Sequence, residues 1–562
     1  MRDAMDHEAV PLIVGVTSHR DLKPDELGQL REQVRGLFLR LHAEYPELRL
    51  TVLSPLAEGG DQLVAEEGLR AGARLVVPLP LPLEIYLRDF DEPDARARFL
   101  HLLEQGTPLT LPVADDVELK ALCNPGPVRD LHYARCGLFV ADHCHLLLAL
   151  WDGRPSGRVG GTAQVVSYYL GAPMLGARDA RRRIRQVLAN DDDSLVMHMP
   201  VGRRQHGTDQ ADMPGTAAES AWLTSTGTMP GSGPMPSAFR TIFARLQEFA
   251  RDLHKYPDPD AAVNFGQSLA RFLHRRADRL ALHFQGRMLF AMRGTYALAA
   301  LMAIALMVYP DSPVPQLVLW MFLLAFGAGV LLAMIAHRRD WHRKYIDYRA
   351  LAEGLRVQAY WRQAGIAATG DEQFAHENFL QKQDVDLGWI RNAMRHASME
   401  AMPEAGAQDV EDVCREWIGA LDGEGQLGWY ERKAAQRERE HERTRLLGAV
   451  CLWTGIAICA LLAILYSRLA PQVRDALALV VGTLSVVAAV RAAYAFRKAD
   501  RELVKQYRFM HRIYDNARRA LDAATDWREK QQVLRSLGEA ALSEHAEWAL
   551  MHRERPLEHG RL

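Results

Sequence analysis

Pro315–Ala336 reads PQLVLWMFLLAFGAGVLLAMIA. It carries no charged side chain and is long enough to cross a hydrocarbon core of ~30 Å at ~1.5 Å per residue. Thr295–Tyr309 stands just before it, and Leu446–Tyr466 and Ala476–Phe496 form a second pair further on. Leu446–Tyr466 is also of spanning length, and Thr295–Tyr309 and Ala476–Phe496 have apolar shoulders. A helix packed in a soluble core keeps a polar face, and these four keep almost none. The expected fold class follows. An α/β domain with a parallel, Rossmann-like sheet precedes an all-α membrane region with four transmembrane helices in two hairpins.

Flanking charge orients the spans. Arg287 and Arg293 precede the first, and Arg338, Arg339, Arg343 and Lys344 follow the second. The loop between them, Pro310–Val314, holds only Asp311. Arg443 and Arg445 precede the second pair, and Arg497 and Lys498 follow it. Its outer loop mixes Arg468, Arg474 and Asp475. Both termini are therefore expected in the cytoplasm, with the chain a multi-pass membrane protein. Arg491 lies inside the last apolar stretch. At a bilayer centre it would cost ~2.5–3.5 kcal/mol, so it is read as marking the cytoplasmic end and snorkelling.

The 562 residues carry a net charge of −2, so the chain is not built as a polyanion binder and no nucleic-acid partner is expected. Met1–Ala9 is polar and the first apolar run, Pro11–Val16, is only strand-length, so no signal peptide is expected. The six cysteines form no CxxC pair, which suits a reduced compartment. Cys136, Cys144, His132, His143 and His145 lie close together in sequence. His143-Cys144-His145 runs straight into an apolar strand, so a half-buried strand start explains the group better than a metal site. No metal or cofactor is expected.

Ahead of the spans, apolar runs alternate with helical patterns, the mark of a doubly wound parallel sheet. Strands are expected at Leu12–Val16, Leu48–Leu53, Ala73–Pro78, Leu146–Trp151 and Ser194–Met199, and a helix from Thr162 to Leu170. Val201–Pro236 is rich in Gly, Pro, Ser and Thr and reads as a loop or linker. From Ser237 on the pattern is helical, and the two apolar pairs look like an internal repeat. Each has a basic amphipathic lead-in, two spans, a charged exit and a Tyr-Arg pair, Tyr348-Arg349 and Tyr507-Arg508. The expected division is 1–200 for the sheet domain, 201–236 for the linker, and 237–405 and 406–562 for two membrane modules.

Three glycine-bearing loops follow three of the strands. They are Gly15-Val16-Thr17-Ser18-His19-Arg20, then Ala57-Glu58-Gly59-Gly60-Asp61, then Trp151-Asp152-Gly153 through Gly160-Gly161-Thr162. In open α/β sheets ligands bind outside the carboxyl ends of the strands. Glycine lets backbone approach a phosphate, and a helix N-terminus offers free N–H groups and a partial positive charge. Gly160-Gly161-Thr162, directly before a helix, has this form. Arg20 can pair with a phosphate, and Asp61 or Asp152 can accept from a ribose hydroxyl. The candidate ligand-binding set is Gly15, Thr17, His19, Arg20, Glu58, Gly59, Gly60, Asp61, Asp152, Gly160, Gly161 and Thr162. A plain αβ turn explains any one loop alone; three on one sheet edge favour a nucleotide-like ligand. None is a G-x-G-x-x-G fingerprint or a P-loop.

Val14–Arg20, Ala57–Asp61 and Gly160–Thr162 together resemble the SLOG domains, the superfamily of the DprA and LOG Rossmann-like proteins. The resemblance covers about residues 10–200. It implies a sensor of nucleotide signals, cyclic or ADP-ribose-derived, in bacterial defence. The phosphoribohydrolase members carry P-G-G-x-G-T-x-x-E, whose glutamate serves catalysis. Here Val165 stands three after Thr162, and Pro155 is too early for the motif's proline. No catalytic residue is assigned, and binding without turnover is expected. Tyr348–Arg356 with Tyr360-Trp361 resembles the SLATT domains, two-span modules associated with SLOG domains. Trp417, Trp429-Tyr430 and the charged helix to Arg445 look like the lead-in of a second copy, and Glu544–Trp548 to Arg555-Pro556 has the same character. This second resemblance implies that the membrane half disrupts the bilayer when its sensor fires.

Small residues recur at four-residue spacing in two spans: Ala325, Gly329 and Ala333, and Ser485, Ala489 and Ala493. Such faces allow close helix approach. The reading is thus an anti-phage membrane effector, assembled as a homo-oligomer, with a nucleotide second messenger and the lipid bilayer as partners. Two alternatives stand beside it: a membrane-tethered nucleotide phosphoribohydrolase, with Glu58, Asp61 or Asp152 as its carboxylate, and a ligand-gated channel or transporter with a metabolic role.

Overall fold

The computed structural model describes residues 10–90, 92–113, 119–156, 159–172, 194–204, 219–258, 268–366, 379–380, 385–400, 405–419, 425–497 and 500–553. Expectations that fall on Met1–Ala9, on residues 157 and 158 of the third loop, on residues 205–218, on Lys498 and on Arg555-Pro556 lie outside them. The chain divides into two compact units. One comprises Met1–Arg276 and Leu351–Glu404, the other Ala277–Ala350 and Ala405–Leu562.

The first unit is built on eight strands: β1 (Pro11–Ser18), β2 (Arg49–Leu53), β3 (Arg74–Leu79), β4 (Thr107–Thr110), β5 (Leu146–Trp151), β6 (Val196–Pro200), β7 (Ala221–Thr224) and β8 (Gly227–Pro230). Their order is β4-β3-β2-β1-β5-β6-β7-β8. The first six in that row pair in parallel, and β6–β7 and β7–β8 pair antiparallel. Five strands stand where the apolar runs put them. The stretch read as a linker differs, because Ala221–Pro230 forms a hairpin. Trp222 is its one deeply buried side chain, so the segment offers no apolar run to read.

Helices join the strands: α1 (Leu27–Glu44), α2 (Gly60–Arg70), α3 (Leu83–Tyr86), α4 (Pro93–Gln105), α5 (Pro127–His143) and α6 (Thr162–Tyr169). Parallel strands need such crossovers. The core gathers Ile13, Leu53, Val140, Leu147, Val165, Val166 and Val196. Helix α7 (Ser237–Lys255) buries Phe239, Ile242, Phe243, Leu246, Phe249 and Leu253 at helical spacing. The Phe243 ring meets Tyr45 edge-on at 5.6 Å.

The remaining helices are α8 (Leu269–Val308), α9 (Pro315–Arg338), α10 (Trp341–Gln363), α11 (Gly388–Ala397), α12 (Ala407–Val413), α13 (Gly425–Leu465), α14 (Pro471–Arg497), α15 (Asp500–Ala523) and α16 (Trp527–Arg553). Among them α11 belongs to the first unit, where Trp389 packs against Phe249 at 5.5 Å between centroids.

Four helices are long and apolar enough to cross a membrane, and at most 17% of any spanning window is buried. Leu324, Trp320, Trp453, Ile464 and Phe496 are all exposed. A soluble monomer rarely exposes apolar patches beyond a few hundred Å², so these surfaces fit a membrane protein. Gly294 and Gly329 mark where α8 and α9 meet. A Cβ on Gly294 would lie 2.7 Å from Leu332 Cδ2, and one on Gly329 3.9 Å from Leu298 Cδ1. The Ala325-Gly329-Ala333 face therefore packs within the chain, whereas Ser485, Ala489 and Ala493 are exposed. Arg491 reaches Thr444 Oγ1 at 3.5 Å, beside Arg443 and Arg445.

The repeat read from the sequence has a counterpart in helix lengths: 40, 24 and 23 residues in α8, α9 and α10, against 41, 27 and 24 in α13, α14 and α15. The two Tyr-Arg pairs act alike. Arg349 Nη1 meets Asp278 Oδ1 of α8 at 2.5 Å, and Arg508 Nη2 meets Glu438 Oε1 of α13 at 2.6 Å. Each arginine ties the helix after a span pair back onto the helix that leads into it.

Candidate functional site

The strand order reverses between β1 and β5, since β1 continues to β2 on one side and β5 to β6 on the other. The crevice outside the carboxyl ends at such a switch point is where open α/β sheets hold ligands. The loops after β1, β2 and β5 converge here.

Ser18 ends β1. Its Oγ donates to Asp61 Oδ1 at 2.6 Å, and its carbonyl accepts from Thr162 Oγ1 at 2.7 Å. One strand end thus ties together the second and third loops. His19 Nε2 lies 3.2 Å from Asp152 Oδ1. Two glycines make the close approach possible. Gly59 has φ +92°, and a Cβ there would fall 2.3 Å from the Arg20 carbonyl oxygen. A Cβ on Gly60 would fall 2.6 Å from Ser18 Cβ. Leu56, two residues before Glu58 in the same loop, is fully buried at φ +57°. Strain of this kind costs of order 1–3 kcal/mol and clusters at functional sites.

Gly160 (φ +73°) packs against the α5 backbone, where a Cβ would lie 2.8 Å from Ala134 N, and its amide donates to Gln164 Oε1 at 2.6 Å. Gly161 caps α6 and its carbonyl receives the amides of Gln164 and Val165. The amides of Gly161, Thr162 and Ala163 donate to no group among the described residues. They are the orphan donors of a helix start, suited to an anion.

The two carboxylates are driven in opposite directions. Burial pushes Asp61 up to about 7, against the pull of Ser18, of the Arg20 charge and of the Ala57 amide. For Asp152 burial also opposes the charge, but the Arg154 amide at 3.1 Å, His19 and Arg203 together hold it below the ordinary range. Carboxyls driven apart within one cleft are a mark of acid–base sites.

Not every expected residue reaches the cleft. Gly15 is buried in β1, and a Cβ there would strike Cys144 Cβ at 2.7 Å, so it serves packing under α5. Thr17 is buried opposite Ala149. Glu58 is half-buried and has no hydrogen bond or ion pair among the described residues. The His/Cys group is more deeply placed than a half-buried strand start, with His143, Cys144 and His145 all at most 1% exposed.

Several cleft residues carry no signal in the sequence. The Tyr133 ring lies 5.8 Å from Arg20, which the sequence does mark and which is exposed, and 5.9 Å from Arg129, which it does not. The Tyr133 hydroxyl donates to Asp89, which also pairs with the buried Arg129. Asp89 stands 40 residues before Arg129 and 44 before Tyr133, so only the fold brings them together. Burial pushes the Tyr86 hydroxyl well up, and it donates to Pro55 O at 3.1 Å. The Cys136 thiol is likewise pushed up by burial and by Asp61, which disfavours the thiolate.

No family model, curated protein or solved structure matches this chain.

Proposed function

We propose that the chain is a membrane effector switched by a nucleotide-derived ligand bound at the Rossmann-like cleft. The observation that carries the reading is the union of two features in one chain. One is a cleft at a strand-order reversal, lined by Arg20, free helix-start amides and a buried carboxylate. The other is a set of four exposed apolar helices of spanning length. The likeness to SLOG and SLATT domains supports the same reading. Phosphate would sit at the α6 start with Arg20 as counter-charge, and Asp152, held ionised, would accept from a ribose hydroxyl. The two hairpins would lie in a bacterial inner membrane with both termini cytoplasmic, several copies would assemble, and the effect would be loss of membrane potential in an infected cell.

Ligand can shift a switch only by its differential affinity for the two states; moving it from 1:99 to 99:1 takes ~5.5 kcal/mol. Native mass spectrometry of the full chain in detergent tests the reading. A bound species with the mass of a nucleotide is the expected result, and a protein that stays bare through repeated mild preparations overturns it. With that nucleotide in hand, Arg20→Ala should weaken binding by ~1.5–3 kcal/mol, the scale of a hydrogen bond to a charged group. Calorimetry gives the check. Arg20 is exposed, so a loss of stability in place of a loss of affinity would reassign it to the surface.

A second reading, a nucleotide phosphoribohydrolase, is favoured by one observation: Asp61, with its raised value of about 7, is a carboxyl that can give a proton at neutral pH. Release of free base from nucleoside monophosphates by the full chain, abolished by Asp61→Asn, would establish it. Absence of any turnover leaves binding alone.

A further inference from the structure

His145 is 1% exposed and engages both ring nitrogens and its backbone amide between two elements. Its backbone amide donates to Ile13 O at 2.9 Å, and its Nδ1 accepts from Ile13 N at 3.3 Å. Its Nε2 then donates to Asn392 O of α11 at 2.9 Å. The two bonds fix the tautomer: Nδ1 is bare and Nε2 carries the proton. Burial, aided by the Arg395 charge, holds the ring neutral, well below the ordinary imidazole range.

Ile13 belongs to β1, the strand whose far end delivers Ser18, His19 and Arg20 to the cleft. On the other side, α11 is gripped in turn. Arg395 Nη1 donates to Cys144 O at 3.4 Å. Gln358 Nε2 of α10 donates to Met394 O at 3.0 Å. Gly354 of α10 leaves room for Met394, whose Sδ would lie 2.7 Å from a Cβ there. Helix α10 begins at Trp341, directly after the span-bearing α9 ends at Arg338.

We propose that His145 is a positioning residue that transmits displacement of the cleft strand β1 to α11 and so to α10, the helix that follows the second span. The proposal rests on the cleft being the sensing end of the protein. A ring bonded at both nitrogens cannot follow one neighbour without pulling the other, because each lost bond leaves a buried group unpaired. Coupling of this kind needs a demonstrated dependence between sites, not proximity alone.

A cycle of variants supplies it without any ligand. Asp61→Asn replaces the ionisable acceptor of the Ser18 hydroxyl by a neutral, weaker one and so perturbs the cleft end of β1. His145→Asn places a polar atom where Nδ1 stands and drops the link to Asn392. His145→Gln places one where Nε2 stands and drops the link to Ile13. Hydrogen exchange is followed at residues 388–397 and 351–363 in the full chain in lipid nanodiscs.

Asp61→Asn alone should change exchange there by ~5-fold or more, the lower end of coupling between sites. In either His145 background the change should shrink below ~2-fold, the scale of additivity between independent sites. A merely structural histidine would speed exchange in α11 yet leave the full Asp61→Asn effect in place, and that result overturns the proposal. So does the absence of any Asp61→Asn effect on α11 in the parent protein. Neither readout involves nucleotide or membrane damage, so a failure of the functional reading stays separable from a failure of this one.

Discussion

Replacing Asp61 by asparagine should make the protein more stable above neutral pH, by ~4 kcal/mol, and should flatten its dependence on pH. The sign follows from the raised value. The carboxyl titrates at 3.8 when solvated and at about 7 in the fold. The folded state therefore disfavours the charged form. Below the solvated value both states are protonated and folding carries no penalty. As pH rises the unfolded chain ionises first, stability falls progressively, and above the folded value the loss is complete. A tenfold change in a proton affinity is worth ~1.4 kcal/mol, so the rise from 3.8 to about 7 amounts to ~4 kcal/mol. Asparagine is neutral throughout and its carbonyl can still accept from Ser18. Urea unfolding of the detergent-solubilised chain at pH 4 and pH 8 is the measurement. The parent should lose stability between them and the variant should not. Parallel curves for the two proteins would mean that Asp61 ionises freely in the fold.

A residue that costs this much is kept for something other than stability, and the cleft is where proteins tolerate such costs. The same variant therefore bears on function from the other side. An asparagine that stabilises the sheet unit while weakening the ligand, or ending turnover, would show the usual trade between the two.

The sequence exposes some of this and hides the rest for identifiable reasons. Strands β1, β2, β3, β5 and β6 are legible because strands buried on both faces must be continuous apolar runs. Strand β4 is not, because only Leu109 of its four residues is buried, and an edge strand needs no such run. Gly59, Gly60 and Gly160 are legible as close approaches, and all three are. Gly15 looks the same in sequence but yields space to Cys144 and Val140 instead of to a ligand. The Arg129–Asp89–Tyr133 group is out of reach, since nothing local ties residue 89 to residue 133. Helices α7 and α11 fall in the stretch read as the first membrane module, whereas contacts such as Phe243 on Tyr45, Trp389 on Phe249 and the His145–Asn392 bond place them with the sheet.

The largest functional effect is expected from Ala489→Leu, which should abolish depolarisation in cells while leaving nucleotide binding intact. Two small-residue faces occur in the spans, and their surroundings separate them. Ala325 is buried and Gly329 looks onto Leu298 of the same chain. A leucine at Gly329 would thus overpack an internal seam and report on folding as much as on assembly. Ser485, Ala489 and Ala493 are exposed on α14, and the Ser485 hydroxyl is already satisfied by Val481 O at 3.0 Å within its own helix. Apart from the Ala493 carbonyl, which accepts from the Tyr296 hydroxyl at 3.4 Å, that stripe is open to a helix from a second copy at short range. Without a hydrophobic force between helices in lipid, such contacts rest on close van der Waals packing, which a bulky side chain at the centre removes. If the stripe instead meets lipid tails, leucine is as well solvated there as alanine and nothing changes. A potential-sensitive dye, read in cells carrying equal amounts of parent and variant in the membrane under the activating signal, separates the two. Full depolarisation by Ala489→Leu would exclude this face from assembly.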